Sequence, residues 1–256
     1  MIRDLGSHLE PTICLDKVSV SYRVPEERIG TFKEYMIRRI QGRVNHRVFG
    51  ALKDVDLEIG RGEIFGIVGR NGAGKSTLLK VISRVIRASG GRIVVRGRVA
   101  PLLELGAGFH PELTGRENVF LNGTLLGRSR RDVQHKLDEI LDFAELGGFV
   151  DAPLRTFSTG MIARLGFSVA TAWVPDILIL DEVLAVGDEA FQTKCMNRIQ
   201  AFQSGESTVV MVSHNAETIR RMCTRAVWLE QGEIQIIGSV DEVERQYQGF
   251  QNAGAG

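Results

Sequence analysis

The sequence predicts an α/β fold with a mainly parallel sheet, on three observations. Compact β-rich apolar runs recur at 63–68, 177–180, 208–212 and 226–229. Segments of helical periodicity separate them, and a glycine-rich loop follows the first run directly and leads into a helix.

In chain order, residues 13–22 (ICLDKVSVSY) alternate apolar and polar as a half-buried strand does. Residues 31–47 place Phe32, Met36, Ile40 and Val44 at helical spacing with Arg38, Arg39, Arg43 and Arg47 alongside, which predicts a short basic amphipathic helix. Alternation resumes over 51–59, Arg61-Gly62 makes a turn, and 63–68 reads as a buried parallel strand. Helical periodicity over 77–86 ends at Gly90-Gly91, before a strand at 92–96. The stretch 113–171 is mostly helical, with Leu137, Ile140, Leu141 and Ala144 on one face and breaks at Gly147-Gly148 and Pro153, so a helical lobe is inserted into the core. Helices are expected at 188–204 and 215–223 and a frayed tail at 248–256.

Composition narrows the function classes. The chain has 256 residues, of which 43% are hydrophobic, enough for a core of one large domain or two joined lobes, and this excludes disorder and small disulfide scaffolds. Thirty-two basic against 31 acidic residues leave a net charge of +1, unlike the basic excess of a nucleic-acid coat, so no nucleic-acid partner is expected. The most apolar stretch, 166–180, is interrupted by Pro175 and Asp176, short of a membrane span. The first residues lack the pattern of a secretory leader, and a cytosolic location is expected. Cys14, Cys195 and Cys223 lack metal-ligand spacing and read as small buried hydrophobes.

Residues 69–77, GRNGAGKST, fit G-x-x-x-x-G-K-S/T between a strand and a helix. Backbone N–H groups can wrap phosphate oxygens only where no Cβ intrudes, and Gly69, Gly72 and Gly74 meet that demand, with Asn71 and Ala73 between them. Lys75 would neutralise the β- and γ-phosphates, the Ser76 hydroxyl would ligate Mg²⁺, and Thr77 would reach the α-phosphate. Asp181 and Glu182 end the apolar run 177–180, at the strand edge where parallel sheets hold ligands. Asp181 suits the Mg²⁺ shell and Glu182 the general base that orients attacking water. No Asn-Lys-x-Asp guanine-reading motif occurs, so adenine is the expected base.

The order of these motifs, with Phe157-Ser158-Thr159-Gly160-Met161 placed 23 residues before Asp181 when counted from Ser158, resembles the ATP-binding subunit of ABC transporters over nearly all of residues 13–238. The resemblance implies a P-loop NTPase core with an antiparallel β subdomain and the inserted helical lobe. It implies a single ATPase domain over 1–247, with core at 13–104 and 173–238, lobe at 105–172, a basic insertion at 24–48 and a flexible tail at 248–256. Matched residue by residue, Tyr22 stacks on adenine, Ser158, Thr159 and Gly160 form the signature loop, Asp188 lies in the loop after the catalytic glutamate, and His214 is the switch histidine. The resemblance further implies that two copies pair head to tail around two ATP molecules, so Ser158 and Gly160 would meet the γ-phosphate held by the partner's Lys75.

The sequence departs from the family pattern in two places. The signature loop replaces three of the five residues of Leu-Ser-Gly-Gly-Gln, and Glu104 stands where a glutamine senses Mg²⁺. Those departures, the run 104–118, the run 183–189 and the basic insertion resemble one subgroup, the ATPases that export bacterial surface polysaccharides such as O-antigen, capsule and teichoic acid. The implied partner is a separate integral membrane permease, the implied cargo a polysaccharide, and the implied location the cytoplasmic face of the membrane. Members with a C-terminal carbohydrate-binding domain are longer, and none is expected within these 256 residues. Another ABC transporter, for a small solute or lipid, and a non-transport ATPase are the alternatives.

Overall fold

The computed structural model describes residues 11–25, 46–103, 105–181, 187–213 and 216–253. The elements run β1 (Ile13–Pro25), β2 (His46–Ile59), β3 (Ile64–Val68), α1 (Lys75–Ile82), β4 (Gly90–Val95), β5 (Val99–Leu102), α2 (Gly115–Leu125), α3 (Arg130–Ala144), two 3₁₀ turns, α4 (Thr159–Ala170), β6 (Ile177–Asp181), α5 (Glu189–Ser204), β7 (Thr208–Val212), α6 (Ala216–Met222), β8 (Arg225–Glu230), β9 (Glu233–Ser239) and α7 (Val240–Ala253). The α/β expectation holds. A six-stranded sheet of order β5-β6-β7-β3-β8-β9 is parallel except for its β8–β9 edge. A three-stranded antiparallel sheet, β2-β1-β4, forms the second layer.

Burial on both faces explains why β6 reads as an unbroken apolar run. Ile177 and Ile179 face the cluster between the two sheets, with Leu78 and Leu79 of α1, while Leu178 and Leu180 face the opposite cluster, with Phe167, Phe191 and Ile199. Each such side chain is fully buried and contributes about 1.5–3 kcal/mol. The helical lobe has its own core, in which Val119, Val133, Leu137, Ile140, Leu165 and Val169 meet. Its helices begin where local chemistry says they should. Thr114 with Glu117 and Ser129 with Asp132 make reciprocal capping boxes at α2 and α3.

The lobe is fixed to the core by aromatics. Phe143 of α3 and Phe167 of α4 stack at 6.0 Å, and both meet Phe191 of α5 edge-on at 5.7 and 6.3 Å. The loop before α2 is closed by Asn118, which is fully buried. Its Oδ1 accepts from the His110 N–H at 2.7 Å, and its Nδ2 donates to the carbonyls of His110, Leu113 and Thr114 at 2.9–3.1 Å. Cys195 and Cys223 are buried, and burial pushes both thiols up to about 12, so they are inert packing groups; Cys14 is only partly buried.

Several expectations need correction. Residues 248–253 are helical and continue α7, because Phe250 and Tyr247 pack on the Trp228 ring at 5.0 and 5.7 Å, an anchor the polar tail composition hides. The ends of the proposed insertion at 24–48 are strand: β1 runs to Pro25 and β2 starts at His46, with Val24 opposite Arg47. The basic helix expected over 31–47 otherwise lies outside the described residues. Strands β5 and β9 and helix α7 carry no strong periodic signal and were not expected.

Candidate functional site

The parallel strands deliver their C-terminal ends side by side. Ile67 of β3 pairs with Val212 of β7, which pairs with Asp181 of β6, so the phosphate loop, the segment after β7 and the β6 carboxylate share one edge of the sheet. The loop's backbone explains its glycines. Gly69, Gly72 and Gly74 all have positive φ, and a Cβ on Gly74 would sit 2.6 Å from the Ala51 carbonyl oxygen. A Cβ on Gly69 would sit 2.1 Å from the Leu229 carbonyl oxygen. The β8–β9 turn clasps the loop from behind, since the Gly232 N–H donates to the Ala73 carbonyl at 2.9 Å.

Gly74 is the N-cap of α1 and offers no side-chain cap, so the first-turn N–H groups of α1 remain available to an anion. Lys75 is 8% exposed, and its Nζ donates to the Gly69 and Arg70 carbonyls at 2.8 and 2.9 Å. Its ammonium is thus held inside the loop that would surround phosphate. Ser76 Oγ donates to Asp181 Oδ2 at 3.3 Å. A hydroxyl and a carboxylate facing each other are hard oxygen donors, and they suit Mg²⁺, which binds through few protein groups and keeps phosphate and water for the rest. Among the described residues no group of three or more His, Cys, Asp or Glu gathers into an all-protein metal cage.

These groups open onto a cleft of about 600 Å³, within the range of small-molecule sites. Asn71, Gly72, Gly74, Lys75, Ser76, Thr77 and Asp181 line it. Tyr22 and Phe49 line it as well; they are cross-strand partners on β1 and β2 and stand 38% and 54% exposed. Phe49 is a lining residue that the sequence did not single out. Its signal was its pairing with Tyr22, and that register follows three irregularities in the β1–β2 ladder.

The structure leaves two expected site segments outside this cleft. Ser158 is the N-cap of α4, where its Oγ accepts from the Met161 N–H at 3.2 Å, and the first turn follows with Thr159 exposed and Gly160 half-buried. None of the three lines the cleft, and neither does Asp188. Asp188 Oδ1 accepts from the Phe191 N–H at 2.9 Å, and Oδ2 accepts from Arg164 Nη2 at 2.8 Å. The Phe191 N–H and then the Arg164 guanidinium hold its carboxyl below the usual carboxylate range. Arg164, also missed at sequence level, lies 4.7 Å over the Phe191 ring and ties α4 to the loop before α5. Glu104, Glu182 and His214 lie outside the described residues; Asp181 and Ser213 are the described neighbours of the last two.

Comparison with known proteins agrees with this geometry. Residues 52–185 match the family described as ABC transporter. An O-antigen export system ATP-binding protein of Klebsiella pneumoniae is 44% identical over 241 residues, covering 93% of this chain and 98% of that protein. A teichoic acids export ATP-binding protein of Enterococcus faecalis is 39% identical over 202 residues, covering 79% of this chain and 45% of that protein. A dimeric ATP-binding cassette in a post-hydrolysis state, bound to ADP and Pi, superposes with a TM-score of 0.70 at 24% identity, covering 89% of this chain and 98% of that one, a likeness of fold.

Proposed function

This chain belongs to the ABC transporter family and is an ATP-binding ATPase, and from that premise we propose that it powers export of a surface polysaccharide through a separate membrane permease. The observation that carries the cargo class is the match along nearly the whole chain to an O-antigen export ATP-binding protein. Among the described residues no helix is long and apolar enough to cross a membrane, so the proposal assigns the pore to another chain and places this one on the cytoplasmic face. The basic residues of the 24–48 insertion would face that permease or anionic headgroups.

In the proposed reaction Lys75 and the α1 N-terminus hold the β- and γ-phosphates, and Tyr22 with Phe49 holds adenine. Ser76, Asp181 and Glu104 would hold Mg²⁺, and that ion would supply charge neutralisation on the phosphates. Glu182 takes a proton from water as the water attacks the γ-phosphorus, the bond to the ADP oxygen breaks, and His214 hydrogen-bonds the γ-phosphate or the attacking water. Ser158, Thr159, Gly160 and Asp188 act on the nucleotide of a second copy. Their position outside the Lys75 cleft supports this head-to-tail arrangement, because a triphosphate in that cleft would still be open on one side. ATP then closes the dimer and hydrolysis opens it.

Base stacking is worth about 1–3 kcal/mol. Tyr22→Ala and Phe49→Ala should therefore each weaken ATP binding by about five- to a hundredfold, measured by calorimetry, with a smaller effect on a base-free triphosphate. Equal losses for ATP and triphosphate would refute stacking.

The function is tested in the host cell and on purified membranes. Inactivating the chain should leave the glycan inside the cell, and a polytopic membrane protein should co-purify with the tagged chain. Unchanged surface glycan would rule out the polysaccharide cargo, and co-purifying ribosomes would favour the non-transport alternative.

A further inference from the structure

At the end of the sheet away from the phosphate loop, a cleft of about 370 Å³ opens between the helical lobe and the core. Arg128 and Trp173 come to it from the lobe side, Arg84 and Arg98 from the turn after α1 and the start of β5. No carboxylate is among the described residues that line it. Arg98 does have one partner, Asp176, whose Oδ2 accepts from the Arg98 N–H at 2.7 Å and from Nε at 3.4 Å, but that carboxylate lines the neighbouring cleft. The Arg84 guanidinium donates to the Val95 carbonyl. Arg128 lies 5.0 Å over the Trp173 ring, and its Nε is buried without a hydrogen-bond partner among the described residues.

Such an arrangement is electrostatically incomplete. Burial first, and then repulsion from Arg98, lower the Arg128 guanidinium from its ordinary value, with Asp132 opposing weakly from the α3 cap. A half-buried cation beside like charges, with its Nε shut off from water, carries a penalty that a bound anion lowers. Guanidinium forks match phosphate oxygens in pairs. One phosphate group carries about two charges at neutral pH, which matches three guanidiniums of which one, Arg98, is already offset by Asp176.

We propose that the cleft formed by Arg84, Arg98, Arg128 and Trp173 is a second anion site, which takes a phosphate-bearing ligand and bridges the helical lobe to the core. The site is separate from the nucleotide cleft and shares no lining residue with it.

The test titrates inorganic phosphate into the full chain by calorimetry, with the nucleotide cleft first saturated by a non-hydrolysable ATP analogue. One equivalent should bind, and Arg128→Gln should weaken binding at least about tenfold, a loss of about 1.4 kcal/mol. Arg61→Gln, in the neighbouring cleft only, should leave binding unchanged. Should Arg128→Gln fail to fold, Arg84→Gln, which gives up one carbonyl contact, serves in its place. A parallel sedimentation with phosphatidylcholine vesicles, with and without phosphatidic acid, separates the sources. Arg128-dependent vesicle binding assigns the phosphate to a lipid headgroup, and phosphate binding without it assigns a soluble ligand. Absence of both, or wild-type binding by the Arg128 and Arg84 variants, overturns the proposal.

Discussion

Replacing Lys75 with alanine is expected to lower kcat/KM for ATP hydrolysis by about a hundred- to a thousandfold, the usual loss when one preorganised charge-stabilising donor is removed. The expectation rests on where the ammonium sits. Lys75 is almost completely buried and bonds the Gly69 and Arg70 carbonyls of the loop itself, so it is positioned before any ligand arrives. Phosphate oxygens entering the loop would meet that charge together with the N–H groups of α1. Alanine leaves the N–H groups in place and removes the charge, so binding should weaken along with turnover. Steady-state hydrolysis and nucleotide calorimetry on the same variant measure both. Near-normal kinetics would remove the phosphate loop from the account.

Replacing Glu182 with glutamine should act on the chemical step instead. An amide cannot accept the proton of the attacking water, and loss of a general base costs about 10²–10⁴-fold in rate. Binding of ATP should persist, since the lysine, the serine–aspartate pair and the aromatic pair of the cleft are untouched. The expected signature is a large fall in kcat with affinity for ATP retained, read by single-turnover hydrolysis beside calorimetry. Turnover close to wild type would exclude Glu182 as the base.

Much of this was legible in the sequence wherever a backbone demand or a period of two or 3.6 is strict. The phosphate loop was readable because only glycine tolerates the approach of the Ala51 and Leu229 carbonyls. Strand β6 was readable because it is buried on both faces. Where tertiary context decides, the sequence was silent or misleading. Strand β5 contains Pro101, and the edge strand β9 has every residue at least partly exposed, so neither shows a clear apolar run. The end of helix α7, from residue 248, is polar enough to read as a tail, yet Phe250 lies on Trp228 beside Tyr247. Phe49 and Arg164 escaped notice because their importance depends on a strand register and on the meeting of α4 with the loop before α5. The Arg84–Arg98–Arg128 cleft joins three distant stretches and leaves no motif at all.

The central claim is that ATP is completed by a second copy of the chain, with the Ser158–Gly160 turn of one protomer closing over the Lys75 cleft of the other. The most direct measurement is the molar mass and nucleotide content of the Glu182→Gln variant in saturating ATP and Mg²⁺, by light scattering on a sizing column. The account predicts a species of twice the protomer mass holding two ATP molecules, lost when ADP replaces ATP or when Ser158 is changed to a bulky residue. A protomer-sized species with one bound ATP would contradict it.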